Sequence, residues 1–398
     1  MVKIAQRLAN IEYAIRDIYA IATEVAKTRK VHWLNIGDPG LFQDSFSTPK
    51  YICDALATAT YEGKNMYADS LGVYELREVI CESEKRKNHI DLNPEDILIT
   101  QGVSEGIFFV NAALIEPGDE MLIPGPGYPT YNQYVKLFGG TEVTYKMDEA
   151  IEWNPDVDDI RKKISPKTQA ILLGSPNNPT GAMFSEKHIK EIIDLAGEYN
   201  LILLSDEIYD RIVFDDAKAI CPASLTKDVP IIGMNGFSKA HMSTGWRLGY
   251  LYFYDPQHKM GDLKKNIEKL ARIRLCANTP AQYAAIESYK YPRDHTERLV
   301  ENLQRRRNYC YKRIQSLTEI SVVNPKGTFY MFPKIHLDAR WKNDKAFVLD
   351  LLKETGVCFV YGSGFGQYGE NHFRMTFLPS VHELEEVFNK VEAYLNKK

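Results

Sequence analysis

Lys239 lies in a turn, Gly236-Phe237-Ser238-Lys239, directly after the apolar run Pro230 to Met234. An amine at a strand exit is usually a solvated charge, but a desolvated one can add to a carbonyl and form an imine. Arg247 follows eight residues later as a candidate phosphate clamp, before the apolar segment Leu248 to Tyr254 leads away. Asp206 ends the apolar stretch Leu201 to Leu204 and Ser205. A carboxylate buried there needs a cation or a strong donor, unless it only caps a helix. A protonated pyridine nitrogen meets that need, and Tyr209, three residues on, is within reach of an oxygen on the same ring. Arg374 interrupts Phe373-Arg374-Met375-Thr376-Phe377, where a guanidinium calls for a planar anion such as a substrate carboxylate, or else an internal salt bridge. Gly102-Val103-Ser104 follow the strand-like Ile97 to Thr100 and open an apolar helix, whose free N–H groups suit a phosphate; a plain serine cap is the competing reading. Asn178, in Ser175-Pro176-Asn177-Asn178-Pro179, is either a turn-maker or a donor to a phenolate or carboxylate.

Each piece has an ordinary explanation. Together they supply an imine-forming lysine, an acid for a ring nitrogen, a phosphate cradle and a carboxylate clamp, which are the needs of pyridoxal 5′-phosphate. The elements that must position them alternate. Strands are expected at Ile97–Thr100, Glu120–Pro124, Glu142–Tyr145, Ala170–Gly174, Leu201–Asp206, Ile231–Asn235 and Leu248–Tyr254, with helices between them, such as Ser185 to Tyr199. That alternation implies an α/β fold with a mostly parallel seven-stranded sheet, where ligands sit off the carboxyl ends of strands. The later chain reads as helix (about 294–318), strand, a Gly327 turn, strand, helix (about 344–355), strand and a closing helix from Ser380, a smaller α+β domain. Three parts are expected: residues 1–49 packing with the small domain, 50–290 as the large cofactor domain and 291–398 as the small C-terminal domain. Ile4, Leu8, Ile11, Ile15, Ile18 and Val25 predict one amphipathic N-terminal helix, with Lys3, Arg7, Glu12, Arg16 and Asp17 on its other face.

The 398 residues are too many for one hydrophobic core and sufficient for two. A net charge of −4 and the absence of a basic run argue against a nucleic-acid surface, and no apolar run has the length of a membrane span. The six cysteines are scattered without a Cys-x-x-Cys pair and the nine histidines lack ligand spacing, so reduced thiols, a cytoplasmic setting and no metal are expected.

Ser175 to Gly181, Ser205 to Tyr209, Phe237-Ser238-Lys239 with Gly245 to Gly249, and Arg374 make the chain resemble, over nearly its whole length, the fold type I pyridoxal-phosphate aminotransferases of the class I/II branch. The resemblance implies that Lys239 is the imine-forming lysine and that Asp206 partners the ring nitrogen. It places Tyr209 and Asn178 at the 3′-oxygen and Tyr128 over the ring. It assigns the phosphate to Gly102, Val103, Ser104 and Arg247, joined by Tyr67 of a neighbouring subunit. Arg374, Gly37 and Asn178 would receive the substrate carboxylate. A homodimer with sites at the interface follows from the role given to Tyr67. One position departs: many relatives carry a serine or threonine where this chain has Gly236, and Ser238 is the candidate to replace it. Within the branch, Gly327 to Pro333, Leu275 to Gln282 and Phe359 to Gly366 are most similar to alanine aminotransferases. The resemblance therefore implies ping-pong transfer between alanine and 2-oxoglutarate or pyruvate. Aspartate or aromatic amino acid aminotransferases, and a carbon–sulfur β-lyase, are the alternatives.

Overall fold

The computed structural model describes the chain except residues 1, 3, 4, 10, 12, 13, 291–293, 339 and 398. Its largest sheet runs, edge to edge, Ile97–Thr100, Gly249–Tyr254, Ile231–Gly236, Ile202–Asp206, Thr168–Gly174, Glu120–Gly125, Thr141–Asp148 and Asn154–Pro155. All seven expected strands are present, and the two-residue Asn154–Pro155 adds an eighth at one edge. Five neighbouring strands, from Ile231–Gly236 to Thr141–Asp148, are parallel. Gly249–Tyr254 inserts antiparallel to both its neighbours.

Successive strand residues point to opposite faces, and each face carries its own core. Leu98, Ile123, Leu172, Leu204, Ile232 and Leu251 pack in one cluster with Ile107, Val110 and Ile267 of the helices Val103–Leu114 and Gly261–Arg274. Ile99, Leu122, Ile171, Leu203 and Ile231 belong to the other, with Leu76, Ile80, Ile192 and Ala285 from three further helices. Coverage on both faces explains why these strands read as continuous apolar runs instead of alternating ones. Helix boundaries follow local chemistry. Ser185 Oγ accepts from the N–H of His188 to start Glu186–Glu198, and Ser380 accepts from Glu383 to start Val381–Leu395.

The remaining elements assemble around a short sheet in which Phe373–Thr376 lies antiparallel to Tyr330–Met331 and to Val360–Tyr361. The N-terminal segment joins this part: His32–Trp33 pairs in parallel with Val357–Cys358, and Thr376 donates its N–H to the carbonyl of Leu34 at 2.9 Å. The single N-terminal helix expected from the apolar spacing is not what forms. A 3₁₀ turn at Gln6–Leu8 precedes a separate helix, Ala14–Val25. Ile15 and Ile18 are buried as expected, whereas Leu8 is 57% exposed. Lys3, Ile4 and Glu12 lie outside the described residues. All six cysteines are free thiols. Among the described residues no helix is long and apolar enough to cross a membrane.

Candidate active site

Parallel strands deliver their carboxyl ends to one edge of the sheet, and a cavity of about 540 Å³ opens there. Lys239, Asp206, Tyr209, Tyr128, Asn178, Val103, Ser104, Ser238, Arg247, Gly37 and Arg374 all line it. The cavity thus gathers these residues from seven separate stretches of the sequence. A larger hollow of about 900 Å³ opens between the 207–221 segment and the helix Asp294–Gln315, but receives neither Lys239 nor Arg374.

Lys239 extends from the turn after Ile231–Gly236, and its Nζ donates to the carbonyl of Gly37 at 2.8 Å. Burial pushes its ammonium down to about 8; Asp38 opposes that shift, while Arg374 and Arg247 reinforce it. Lys239 is therefore close to carrying a free amine near neutral pH, the state a nucleophile or base needs.

Asp206 is buried at the strand end, and the residues after it form turns, not a helix, so it is not a helix cap. Its Oδ2 accepts from the Tyr131 hydroxyl at 2.7 Å and its Oδ1 from the N–H of Ile208 at 3.1 Å. Burial pushes its carboxyl up to about 6 against those two hydrogen bonds and the charge of Lys239. A cationic ring nitrogen in the cavity would remove that penalty.

The glycine turn keeps its donors unspent. Gly102, at φ 77°, precedes Val103–Leu114 and supplies no side-chain cap, and Ser104 sits inside the first turn, so a serine cap is not its role. A Cβ on Gly102 would come within 2.6 Å of Arg247 Nη2, so glycine is what lets this guanidinium cross the helix start. Arg247 is held by the carbonyl of Thr244 at 2.9 Å. The helix dipole, the N–H groups at the helix start and Arg247 together suit an anion. Gly236 is absent from the cavity wall. It pairs with Gly249 in the sheet, where a Cβ would meet the Gly249 backbone at 3.0 Å, and Ser238 lines the cavity instead.

Arg374 is 1% exposed and forms no ion pair among the described residues, which removes the internal salt bridge as its explanation. Nη1 donates to Asn178 Oδ1 at 2.9 Å and Nη2 to the carbonyl of Asn35 at 2.6 Å, while Nε has no partner. Its guanidinium lies over the rings of Tyr330 and Phe365. Within the loop, Asn177 makes the turn by accepting from Thr180, which leaves Asn178 free to face the cavity.

Tyr67 does not join the other residues. It is 78% exposed and absent from the cavity wall, from which Gly102, just before Val103, is absent as well. Several residues that do join them went unassigned in the sequence. Tyr131 bonds Asp206, and Asp38 Oδ1 accepts from Thr244 at 2.8 Å beside Lys239. Tyr330 accepts from the Tyr209 hydroxyl at 3.1 Å and packs so closely on Gly37 that a Cβ there would overlap its oxygen. Ile15 and Arg16 also reach the wall, where the sequence showed only the two faces of a helix. The wall carries four cations (Arg16, Lys239, Arg247, Arg374) against two carboxylates, an excess suited to a phosphate and a carboxylate arriving together.

The sequence profile described as aminotransferase class I and II matches residues 29–391. The chain belongs to this family. It is therefore an aminotransferase of fold type I, and the family's cofactor, pyridoxal 5′-phosphate, fits the observed donors: a glycine cradle that a Cβ would fill and a buried acid short of a cation. The glutamate-pyruvate aminotransferase AlaA of Escherichia coli is 37% identical over 98% of this chain and 97% of its own. Aromatic-amino-acid aminotransferase 2 of Thermococcus litoralis is 36% identical over 92% of each chain. The solved structure of an alanine aminotransferase from Pyrococcus furiosus superposes with a TM-score of 0.97 and 48% identity, covering 100% of both chains.

Proposed function

We propose that this aminotransferase exchanges an amino group between alanine and 2-oxoglutarate, or glutamate and pyruvate, in a ping-pong cycle. The observation that carries the site assignment is Arg374, a buried guanidinium without an ion pair that faces the same cavity as Lys239 and Asp206. The names and near-complete coverage of the relatives support alanine.

When bound, the cofactor draws electrons from the substrate's α-carbon into its pyridine ring. The chain's own residues then have separable tasks. Gly102, Val103, Ser104, Ser238 and Arg247 hold the phosphate. Asp206 would keep a proton on the ring nitrogen, Tyr128 would pack against the ring, and Tyr209 and Asn178 would serve its 3′-oxygen. Arg374, with Gly37 and Asn178, would grip the substrate carboxylate and so orient the α-carbon towards Lys239. Lys239 Nζ, neutral and desolvated, takes the α-proton and returns it one position away.

A donor panel tests the substrate. Alanine with 2-oxoglutarate should react faster than aspartate or tyrosine. Failure of alanine while tyrosine reacts well would move the enzyme to the aromatic group, towards which the Thermococcus relative points. Turnover without any 2-oxo acid acceptor would favour a β-lyase instead.

The domain division that fits this role is 50–290 for the cofactor and 1–49 with 291–398 for closure over it. The strand pairing of His32–Trp33 with Val357–Cys358 supports grouping the two ends. The working form is a cytoplasmic homodimer in which Tyr67 reaches the partner's phosphate. Exposed Tyr61, Met66, Tyr67 and Ile273 supply apolar surface that a second copy would cover. Light scattering should give the mass of two chains, and Tyr67→Phe should loosen the cofactor. A fully active single chain would overturn the shared site. Fractionation placing the enzyme outside the cytoplasm would overturn the location.

A further inference from the structure

Tyr131 takes no part in the roles above, yet it touches two of the groups that do. It sits in the first turn of the helix Pro129–Leu137, is 4% exposed, and donates to Asp206 Oδ2 at 2.7 Å. Its ring meets that of Tyr128 edge to face, with centroids 5.5 Å apart and planes at 88°. Room for the hydroxyl comes from a third element. A Cβ on Gly174, at the end of the neighbouring strand Thr168–Gly174, would stand 3.1 Å from the Tyr131 oxygen. The residue is thus clamped between the acid and the ring-covering tyrosine, with its donor aimed at one carboxylate oxygen.

We infer that Tyr131 is a positioning residue for the cofactor: its hydroxyl holds the Asp206 carboxylate ionised and aimed, and its ring braces Tyr128. The inference rests on the assignment of Asp206 to the ring nitrogen. A buried carboxylate that loses a donor is less stable as an anion. The groups facing Asp206 are few: Tyr131 from its helix, the N–H of Ile208 on its own segment, and the charge of Lys239 from the turn after Ile231–Gly236. Once Lys239 is joined to the cofactor its ammonium no longer opposes protonation of Asp206, and Tyr131 is the side-chain donor that remains. Losing its hydrogen bond shifts Asp206 towards the protonated form, so cofactor affinity should fail at a higher pH on the acid side.

Tyr131→Phe keeps the ring and removes the donor, so packing against Tyr128 survives. Equilibrium dialysis of pyridoxal 5′-phosphate against the cofactor-stripped full chain should show affinity weakened roughly 10- to 100-fold, as for a lost hydrogen bond to a charged group. The acid limb of that affinity should move to higher pH, and kcat should fall more than the KM for the amino acid. In an Asp206→Asn background the same change should add little, because the two residues act through one contact. Should Asp206→Asn weaken the cofactor while Tyr131→Phe leaves affinity and its acid limb unchanged, Tyr131 merely fills space and the inference fails. Should Asp206→Asn itself leave affinity unchanged, the assignment of Asp206 fails first, and the inference with it.

Discussion

Lys239→Ala should lower turnover by about 10⁴-fold, at the upper end of what general acid–base transfer contributes. The cofactor should still bind through its phosphate, but without a covalent link. Borohydride reduction followed by peptide mass analysis should add one cofactor mass to the Lys239 peptide of the wild type and none to the variant. The loss should not be a folding effect. Among the described residues Lys239 makes one hydrogen bond, to the carbonyl of Gly37, and its ammonium is held down to about 8 by burial. A lysine whose folded value lies below its unfolded value binds protons better when unfolded, so its charge penalises the fold. The penalty is full below about pH 8 and vanishes as pH rises past the ordinary lysine range. The cofactor-free variant should therefore melt no lower than the wild type at pH 7, and the two should converge in alkali. A variant that reacts at the wild-type rate would take Lys239 out of the chemistry, and one that melts well below the wild type at pH 7 would make the loss a folding effect.

Some of this arrangement was legible because polar residues stood in costly places. Asp206 at the end of an apolar strand and Arg374 amid Phe373, Met375 and Phe377 both demand partners, and burying either alone is prohibitive. The helix starts expected at Ser185 and Ser380 are where the structure has them, each serine side chain accepting from an N–H three residues on. Other features left no such mark. Tyr131 reads as an ordinary core aromatic, since nothing in its neighbours shows that its hydroxyl meets a carboxylate from 75 residues away. Asp38 and Tyr330 likewise depend on where Thr244 and Gly37 come to rest. Strand direction was equally hidden. The run Leu248 to Tyr254 has the same apolar character as its parallel neighbours, yet it enters the sheet antiparallel because the Lys239 turn folds it straight back. The two-residue strand Asn154–Pro155 is too short to show a period. At the N-terminus, apolar spacing alone could not say whether Leu8 would find a core, and it does not.

Replacing Arg374 should cut kcat/KM by roughly 10²–10³-fold, the expected cost of truncating one partner of a buried, hydrogen-bonded charge pair. Arg374→Lys is the informative variant. Lysine keeps the charge, but it cannot bond Asn178 and the Asn35 carbonyl while also presenting two parallel donors to a carboxylate. In a ping-pong cycle the amino acid and the 2-oxo acid occupy this cavity in turn, and both carry the same α-carboxylate. Both KM values should therefore rise by similar factors, with alanine and with 2-oxoglutarate alike. Cofactor affinity should fall far less than substrate affinity, because the phosphate contacts lie elsewhere on the wall and Asn178 is the ring contact that Arg374 also bonds. Tyr330 and Phe365 stack on the guanidinium, so some loss of stability is expected; cofactor binding by the variant would show that the cavity still forms. If only one substrate's KM changed, Arg374 would instead be reading that substrate's side chain. If neither changed, its unpaired charge would have no carboxylate to receive, and the placement of substrate in this cavity would have to be abandoned.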